Sequence, residues 1–255
     1  MRYLLTGLQA SLVLVSFLCP VVSTAEPTRS ARVDNAGWTM QQTSQIVGDF
    51  DVYVTARGVK ANNRKHALSL LCLAPYKEVL LYSERTKKYY SASYDTFRCP
   101  INRTLSVVNS GLLSETPMVK KESTTYQKLP VQSYICTQAF INRQLARYRA
   151  KDLPGRAPRD VTTFTSEALK VDPKISWVLN RFYGLPGLSG FALYSEFNDL
   201  GGDKNESLIT QKINRVIMAD SALALPANLK KAAKHEELFV SEDTADEMGL
   251  MMLGH

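Results

Sequence analysis

Apolar and polar residues alternate along the segment that follows Gly48. In FDVYVTAR, residues 50–57, the apolar side chains of Phe50, Val52 and Val54 fall on one side and those of their polar neighbours on the other. A period of two is typical of a β-strand with one buried face. We therefore predict a half-buried strand over residues 50–57.

Three further runs follow closely, at residues 66–75, 76–83 and 87–97, separated by Pro75 and by the polar turn at residues 84–86. Their spacing predicts an antiparallel meander. The first two runs are apolar on both faces, so the sheet is either covered on each side or has one face that lines a cavity. The same reasoning predicts strands over residues 119–128, 131–138, 161–168 and 190–197.

Helical spacing occurs in two later segments. Asp172 and Pro173 supply an N-cap and a first-turn proline, apolar residues then recur at i, i+3, i+4 and i+7, and Gly184 ends the run. Residues 140–151 form a second candidate helix. Residues 208–219 fit either period, and their β-branched content favours a strand. The predicted fold class is α+β, with mainly antiparallel sheet.

The first residues have the composition of a cleavable export signal. Arg2 gives a positive start, residues 4–18 are mostly apolar, and residues 23–25 are the small residues Ser-Thr-Ala. The apolar run is shorter than the roughly 20 residues of a membrane-spanning helix. We expect cleavage after residue 25 and a soluble periplasmic or extracellular protein. Residues 26–240 then form one domain, followed by a tail at residues 241–255.

The chain has a formal net charge of +7. A surplus of this size favours encounters with anionic surfaces and does not determine the fold. Nucleic acid is not an expected partner of an exported protein. Arg143, Arg147 and Lys151 recur every four residues on the second predicted helix and form a basic stripe. The stripe fits either peripheral contact with phosphate head groups or an ordinary solvated helix face.

Three cysteines follow the predicted signal, and an odd number leaves at least one of them unpaired. Cys72 lies in an apolar run and is predicted to be a small buried residue. A bridge between Cys99 and Cys136 is the favoured pairing in an oxidising compartment. The alternative is three buried free thiols.

The sequence has no familiar catalytic spacing. His66, His235 and His255 occur in no metal-ligand pattern, and the chain has neither a Gly-x-Ser-x-Gly elbow nor a glycine loop for phosphate. We therefore predict a protein that is not an enzyme and that holds no cofactor or metal. A hydrolase whose residues converge only in the folded chain stays open as an alternative.

Several short motifs resemble those of one exported superfamily. Residues 74–77 (Ala-Pro-Tyr-Lys), 81–82 (Leu-Tyr) and 86–90 (Thr-Lys-Lys-Tyr-Tyr) look like its strand, turn and strand. Residues 182–190 resemble its helix, break and return strand, and Leu225-Pro226 resembles the exit from its last strands. This family is the half-barrel superfamily that includes the periplasmic carrier of outer-membrane lipoproteins.

The resemblance implies an incompletely closed antiparallel barrel whose helices cover an apolar concave face that can hold acyl chains. The side chains that would then face a ligand are Phe50, Val52, Val54, Leu68, Leu70, Val79 and Leu81. A hydrophobic core that is filled under a helical lid gives the same apolar pattern, because both arrangements remove these side chains from water.

The sequence thus predicts an exported binding protein that carries or senses a lipid, or the acyl chain of a lipidated protein, in an apolar concavity. The alternative is a non-catalytic interaction protein of the envelope or extracellular space, with the same fold and a filled core. Only the carrier keeps an open cavity.

Overall fold

The structure, a computed structural model, describes residues 36–100 and 113–239. The predicted signal at residues 1–25 and the predicted tail at residues 241–255 lie outside the described residues. The strands are β1 (Ala36–Ser44), β2 (Gly48–Thr55), β3 (Gly58–Asn63), β4 (Leu68–Leu73), β5 (Glu78–Ser83), β6 (Lys88–Ser93), β7 (Met118–Tyr126), β8 (Leu129–Cys136), β9 (Pro158–Ser166), β10 (Phe191–Asp199), β11 (Lys204–Ile217) and β12 (Lys230–Lys231).

Within the described residues these strands form one sheet, in the order β12-β6-β5-β4-β3-β2-β1-β11-β10-β9-β8-β7. Every pairing is antiparallel except the short one between β12 and β6. The sheet is curved and does not close on itself, because β12 and β7 stand at its two ends. Two α-helices accompany it, α1 (Gln138–Arg149) and α2 (Pro173–Tyr183). The predicted α+β class with a mainly antiparallel sheet is therefore confirmed.

Helix α2 begins and ends at the predicted residues. The Asp172 carboxylate accepts a hydrogen bond from the Lys174 amide at 2.8 Å and caps the first turn. Pro173 occupies the first turn, where its missing N–H removes no helical bond. Gly184 adopts a left-handed conformation with φ 71°, and its N–H bonds to the Asn180 carbonyl. These signals are local, which is why the sequence predicts this helix well.

Helix α1 begins two residues earlier than predicted. The Thr137 hydroxyl accepts a hydrogen bond from the Phe140 amide at 3.3 Å and caps the helix before Gln138. At the other end, Lys151 has φ 64° and lies beyond the last helical residue, Arg149. The predicted helix over residues 140–151 is thus confirmed with a shift toward the N-terminus.

The other predicted strands are also confirmed within a few residues, and residues 208–217 belong to a strand, as predicted. Three strands, β1, β3 and the two-residue β12, were not predicted. Gln42 and Ser44 are buried on the inward side of β1, and Lys60 and Asn63 are buried on β3. Buried polar residues break the alternation of apolar and polar positions on which strand prediction depends.

Both helices contact the same face of the sheet. The Phe182 ring of α2 meets the Phe50 ring of β2 edge-on, with centroids 5.4 Å apart. Phe140 of α1 packs with Val161 and Phe197 of β9 and β10. Leu193 of β10 shares a hydrophobic cluster with Phe50, and the alternation of buried positions from Leu193 to Phe197 keeps Phe197 on the same side of the sheet. This face is called the inner face below.

The opposite face of β3 to β6 is covered by residues 218–229, called the strap below. Leu223 and its neighbours pack on Leu71 and Tyr82. The Lys60 ammonium donates a hydrogen bond to the Ala224 carbonyl at 2.6 Å, and its burial lowers the pKa of that amine. Because α2 lies on one side of the sheet and the strap on the other, β4 is apolar on both faces for a structural reason.

Candidate functional site

The inner face was the predicted ligand site, and its apolar residues are buried. None of the seven predicted side chains is more than 2% exposed: Phe50, Val52, Val54, Leu68, Leu70, Val79 and Leu81. They share one hydrophobic cluster with Ile175, Val178, Leu179 and Phe182 of α2. The structure therefore brings all seven together in a cluster that also contains side chains of a helix of the same chain.

Helix α2 is enclosed on nearly every side. After its first turn, the side chains that stay partly exposed are those of Trp177 and Arg181. The Trp177 ring stacks on Tyr94 with centroids 4.5 Å apart, and the Arg181 guanidinium lies 3.8 Å from the centroid of the Trp177 ring. A helix that is buried all round belongs to the core of its domain.

A buried polar chain ties α2 to the sheet. The Tyr183 hydroxyl donates to the Gln42 side-chain oxygen at 2.9 Å, and the Gln42 amide donates to the Thr210 hydroxyl at 2.9 Å. The same amide donates to the Ala192 carbonyl at 3.3 Å. Burial raises the pKa of the Tyr183 phenol. Sequence reasoning missed this network, because Gln42 and Thr210 are far apart along the chain and carry no motif.

One polar side chain of α2, that of Asn180, lacks hydrogen-bond partners of this kind among the described residues. Asn180 is buried, and neither its amide nitrogen nor its side-chain oxygen has a hydrogen-bond partner among the described residues. The buried hydroxyl of Thr165 also has no hydrogen-bond partner among the described residues. An unpaired buried amide lowers the free energy of unfolding by roughly the cost of desolvating it, about 1–3 kcal/mol. The core around α2 therefore contains a buried amide without a described hydrogen-bond partner.

Three cavities lined by described residues have volumes of about 230, 270 and 330 Å³. The first lies beside Trp38, whose indole N–H donates to the Leu169 carbonyl at 3.0 Å. The second borders the strap at Met218 and Leu223. The third lies over polar residues of β1, β2 and β11. Pockets that enclose drug-sized ligands have volumes of about 300–1,000 Å³, so these three are at or near the lower limit.

The predicted basic stripe is assembled only in part. Arg143 and Arg147 are exposed on α1, whereas Lys151 follows the end of the helix in a left-handed conformation. The Arg143 guanidinium lies 5.6 Å from the centroid of the Phe140 ring. Arg143 and Arg147 form no ion pair with any other described residue, so their charges stay available to a partner.

The predicted bridge between Cys99 and Cys136 is not formed. Cys136 is a free thiol that packs with Phe140, and its sulfur accepts a hydrogen bond from the Val161 amide at 3.3 Å. Cys99 belongs to a different cluster, the one around α2. The pairing was wrong because the separation of the two residues depends on how the whole sheet is ordered. Cys72 is buried, as predicted, and burial together with Glu78 raises the pKa of its thiol to about 12.

Each of the two described histidines lies near one carboxylate. His66 Nδ1 lies 3.6 Å from a Glu84 oxygen, and His235 Nε2 lies 3.3 Å from a Glu236 oxygen. No hydrogen bond joins either imidazole to a serine or cysteine side chain within residues 36–100 and 113–239.

The same residues contain no group of three or more His, Cys, Asp or Glu side chains arranged to hold a metal ion. They also contain no helix with the length and apolar character required to span a membrane.

Buried phenols and thiols predict that the protein loses stability at alkaline pH. Burial raises the pKa of Tyr82, Tyr183 and Cys72, whose ordinary values are 10.0 for tyrosine and 9.0 for cysteine. Above these values the unfolded chain releases protons that the folded chain keeps, so the free energy of unfolding falls as the pH rises. Each such group contributes a slope of about 1.4 kcal/mol per pH unit.

Urea unfolding at pH 7.5 and at about pH 10.5 measures this effect. We expect a clear loss of stability at the higher pH, and a smaller loss for Tyr183→Phe, which removes one ionisable group. The same substitution at the half-exposed Tyr134 is the matched control for removing a phenol hydroxyl. Equal stability at the two pH values would contradict the burial of these groups.

Comparisons with known proteins assign no family. No protein-family model matches the chain, and no curated protein matches it. Among solved structures it is similar to one described as an uncharacterized conserved protein from Thermus thermophilus, with 11% sequence identity and a TM-score of 0.41. The match covers 78% of this chain and 91% of that chain. A likeness at this level identifies neither a family nor a function.

Proposed function

We propose that this chain is an exported, non-catalytic interaction protein whose interior is closed by its own helix α2. In this proposal the curved sheet is an incompletely closed barrel, and α1 and α2 cover its concave face. The observation that carries the proposal is the burial of all seven predicted ligand-facing residues in one cluster with side chains of α2. Export is inferred from the composition of residues 1–25.

The packing of α2 argues against a carrier that keeps an open apolar site. An acyl chain would have to take the place of Ile175, Val178, Leu179 and Phe182. Returning each such side chain to water costs roughly 1.5–3 kcal/mol. Displacement would also break the bond between Tyr183 and Gln42 and leave both groups without their buried partner. A protein with this interior binds its partners through its surface.

The proposal predicts that the protein carries no stoichiometric lipid. The protein is purified from the compartment to which it is exported, extracted with organic solvent, and analysed for lipids by mass spectrometry. We expect no lipid in an amount comparable to that of the protein. A lipid present mole for mole would overturn the proposal and favour the carrier.

Thermal unfolding provides an independent check, because a ligand that binds the folded chain raises its melting temperature by mass action. Palmitate and phosphatidylglycerol vesicles, added separately, are expected to leave the melting temperature unchanged. A concentration-dependent increase with either one would contradict a filled interior.

A further inference from the structure

Strand β7 is a sheet edge with an unusual degree of exposure. It is nine residues long, stands at one end of the sheet, and has β8 as its strand neighbour within the described residues. Residues 119–125 are exposed irrespective of which face they point to, so the middle of the strand projects from the body. An edge strand presents unpaired backbone N–H and C=O groups to which another strand can bond.

The hairpin that joins β7 to β8 fixes which backbone groups are free. Gln127 and Lys128 form its two-residue turn, with φ 52° and 63°. Two consecutive positive φ angles are typical of a type I′ turn, which is closed by a hydrogen-bonded pair. That pair is Tyr126 with Leu129. The next pair along an antiparallel ladder is not hydrogen-bonded, so its groups point away from the partner strand.

That next pair is Thr125 with Pro130, followed two residues on by Ser123 with Gln132. Pro130 has no N–H to give, and its carbonyl accepts a hydrogen bond from the Ser166 hydroxyl on β9 at 2.8 Å, which confirms that it faces away from β7. The N–H and C=O groups of Ser123 and Thr125 therefore point to the open edge. Together they offer two donors and two acceptors.

The charge around this edge is basic. Lys120 and Lys121 are exposed on β7, Lys128 is exposed in the turn, and Glu122 is the one carboxylate on the strand. None of the three lysines forms an ion pair with a described residue. Opposite charges on directly paired strands attract, and like charges repel. The edge is therefore suited to an acidic strand.

Helix α1 extends the basic surface. Met118, the first residue of β7, packs in the same hydrophobic cluster as Phe140 of α1. Lys120 follows Met118 by two residues in regular register, so both side chains lie on the side of the sheet that α1 contacts. Arg143 and Arg147 of α1 are exposed on that side of the molecule. A segment bound at the edge would have basic side chains along one flank.

We propose that the open edge of β7 is a docking site for an extended acidic segment of a partner protein, which adds to the sheet as a further strand. The inference rests on the proposed function, since it names the surface that an interaction protein with a closed interior would use. A second copy of this chain fits poorly, because pairing two β7 edges would bring lysines close to lysines. Main-chain bonds would supply affinity, and the lysines would select charge.

The test uses the full-length protein and a decapeptide of alternating glutamate and valine, with a lysine and valine decapeptide as the charge control. We expect the acidic peptide to bind at least about tenfold more tightly. Binding should shift the backbone amide resonances of Ser123 and Thr125 more than that of Thr124, whose N–H faces β8. A fully N-methylated acidic peptide should bind at least about tenfold more weakly, because it cannot donate to the edge.

Two variants of Thr125 separate the contribution of its backbone N–H to binding from that of its side chain. Thr125→Pro removes the outward N–H and no bond to β8, and should weaken binding about tenfold or more. Thr125→Val keeps the N–H and should bind within about twofold of the original chain. The double variant Lys120→Glu and Lys121→Glu should reverse the preference between the two peptides. The N-methylated peptide keeps the test valid even if a variant fails to fold.

Equal binding of both peptides, or unshifted amides at Ser123 and Thr125, would overturn the docking site. A different result is that neither peptide binds, that phosphatidylglycerol vesicles do bind, and that the double lysine variant abolishes vesicle binding. That result would assign the basic surface to membranes instead. A dimer that Thr125→Pro dissolves would assign the edge to a second copy. Lipid found in the purified protein would overturn the proposed function alone, whereas loss of peptide binding in lipid-free protein would overturn this inference alone.

Discussion

Replacing Phe182 with alanine is expected to lower the free energy of unfolding by about 3–5 kcal/mol. Phe182 is fully buried in the last turn of α2, and its ring meets those of Phe50 and Tyr183 at centroid distances of 5.4 Å. The substitution removes these contacts and leaves a cavity between α2 and β2. Urea unfolding followed by circular dichroism measures the change.

The matched control is Ile217→Ala. Ile217 is a large apolar residue with 83% of its surface exposed, at the end of β11. Removing it should change the free energy of unfolding by no more than about 0.5 kcal/mol. A Phe182→Ala variant that is as stable as this control would show that α2 does not fill the interior.

Replacing Asn180 with leucine is expected to have the opposite effect from Phe182→Ala. It should raise the free energy of unfolding by about 1–3 kcal/mol. Asn180 is buried on α2 and its side chain has no hydrogen-bond partner among the described residues. Leucine has a similar shape, favours helices more strongly, and brings no polar group into the interior. Thermal and urea unfolding both report the gain.

Gln42→Leu is the matched control for this prediction. The Gln42 amide is also buried, but it is fully engaged with Tyr183, Thr210 and Ala192. The same chemical change should therefore destabilise the chain by about 1–3 kcal/mol, because it leaves buried partners unpaired. If both variants are destabilised equally, the environment of Asn180 is polar, and the description of a closed apolar interior is wrong.

Local signals in the sequence predict the elements that depend on local chemistry. Helix α2 follows from Asp172, Pro173 and Gly184, whose roles need only their neighbours in the chain. Strand β2 follows from the alternation of Phe50, Val52 and Val54 with polar residues. These features determine secondary structure without reference to the rest of the fold.

Pairing order and burial depend on distant residues and could not be predicted in this way. Strand β1 was missed because Gln42 is a polar residue whose partners come from β10, β11 and α2. The bridge between Cys99 and Cys136 was wrong for the same reason, since the fold places them in separate clusters. The apolar character of β4 on both faces was recognised, but the strap that covers one face lies about 150 residues later in the chain.

The candidate site likewise has one part that the local sequence predicts and another that depends on distant residues. The sequence selects the seven inward apolar residues, and the structure collects all of them in one cluster. It does not reveal that α2 occupies the space beside them, because a filled core and an empty cavity require the same residue types. The exposed edge of β7 has no sequence signal beyond its lysines, since which strand ends a sheet depends on long-range pairing.

Hydrogen exchange of the α2 amides tests the central claim most directly. If α2 is a permanent part of the core, the amides of Val178 to Phe182 exchange only through global unfolding, at the same rate as those of β2 and β4, with or without phosphatidylglycerol vesicles. Fast exchange in α2 while the amides of β2 and β4 stay protected would contradict the account, because it would identify α2 as a lid that opens an apolar site.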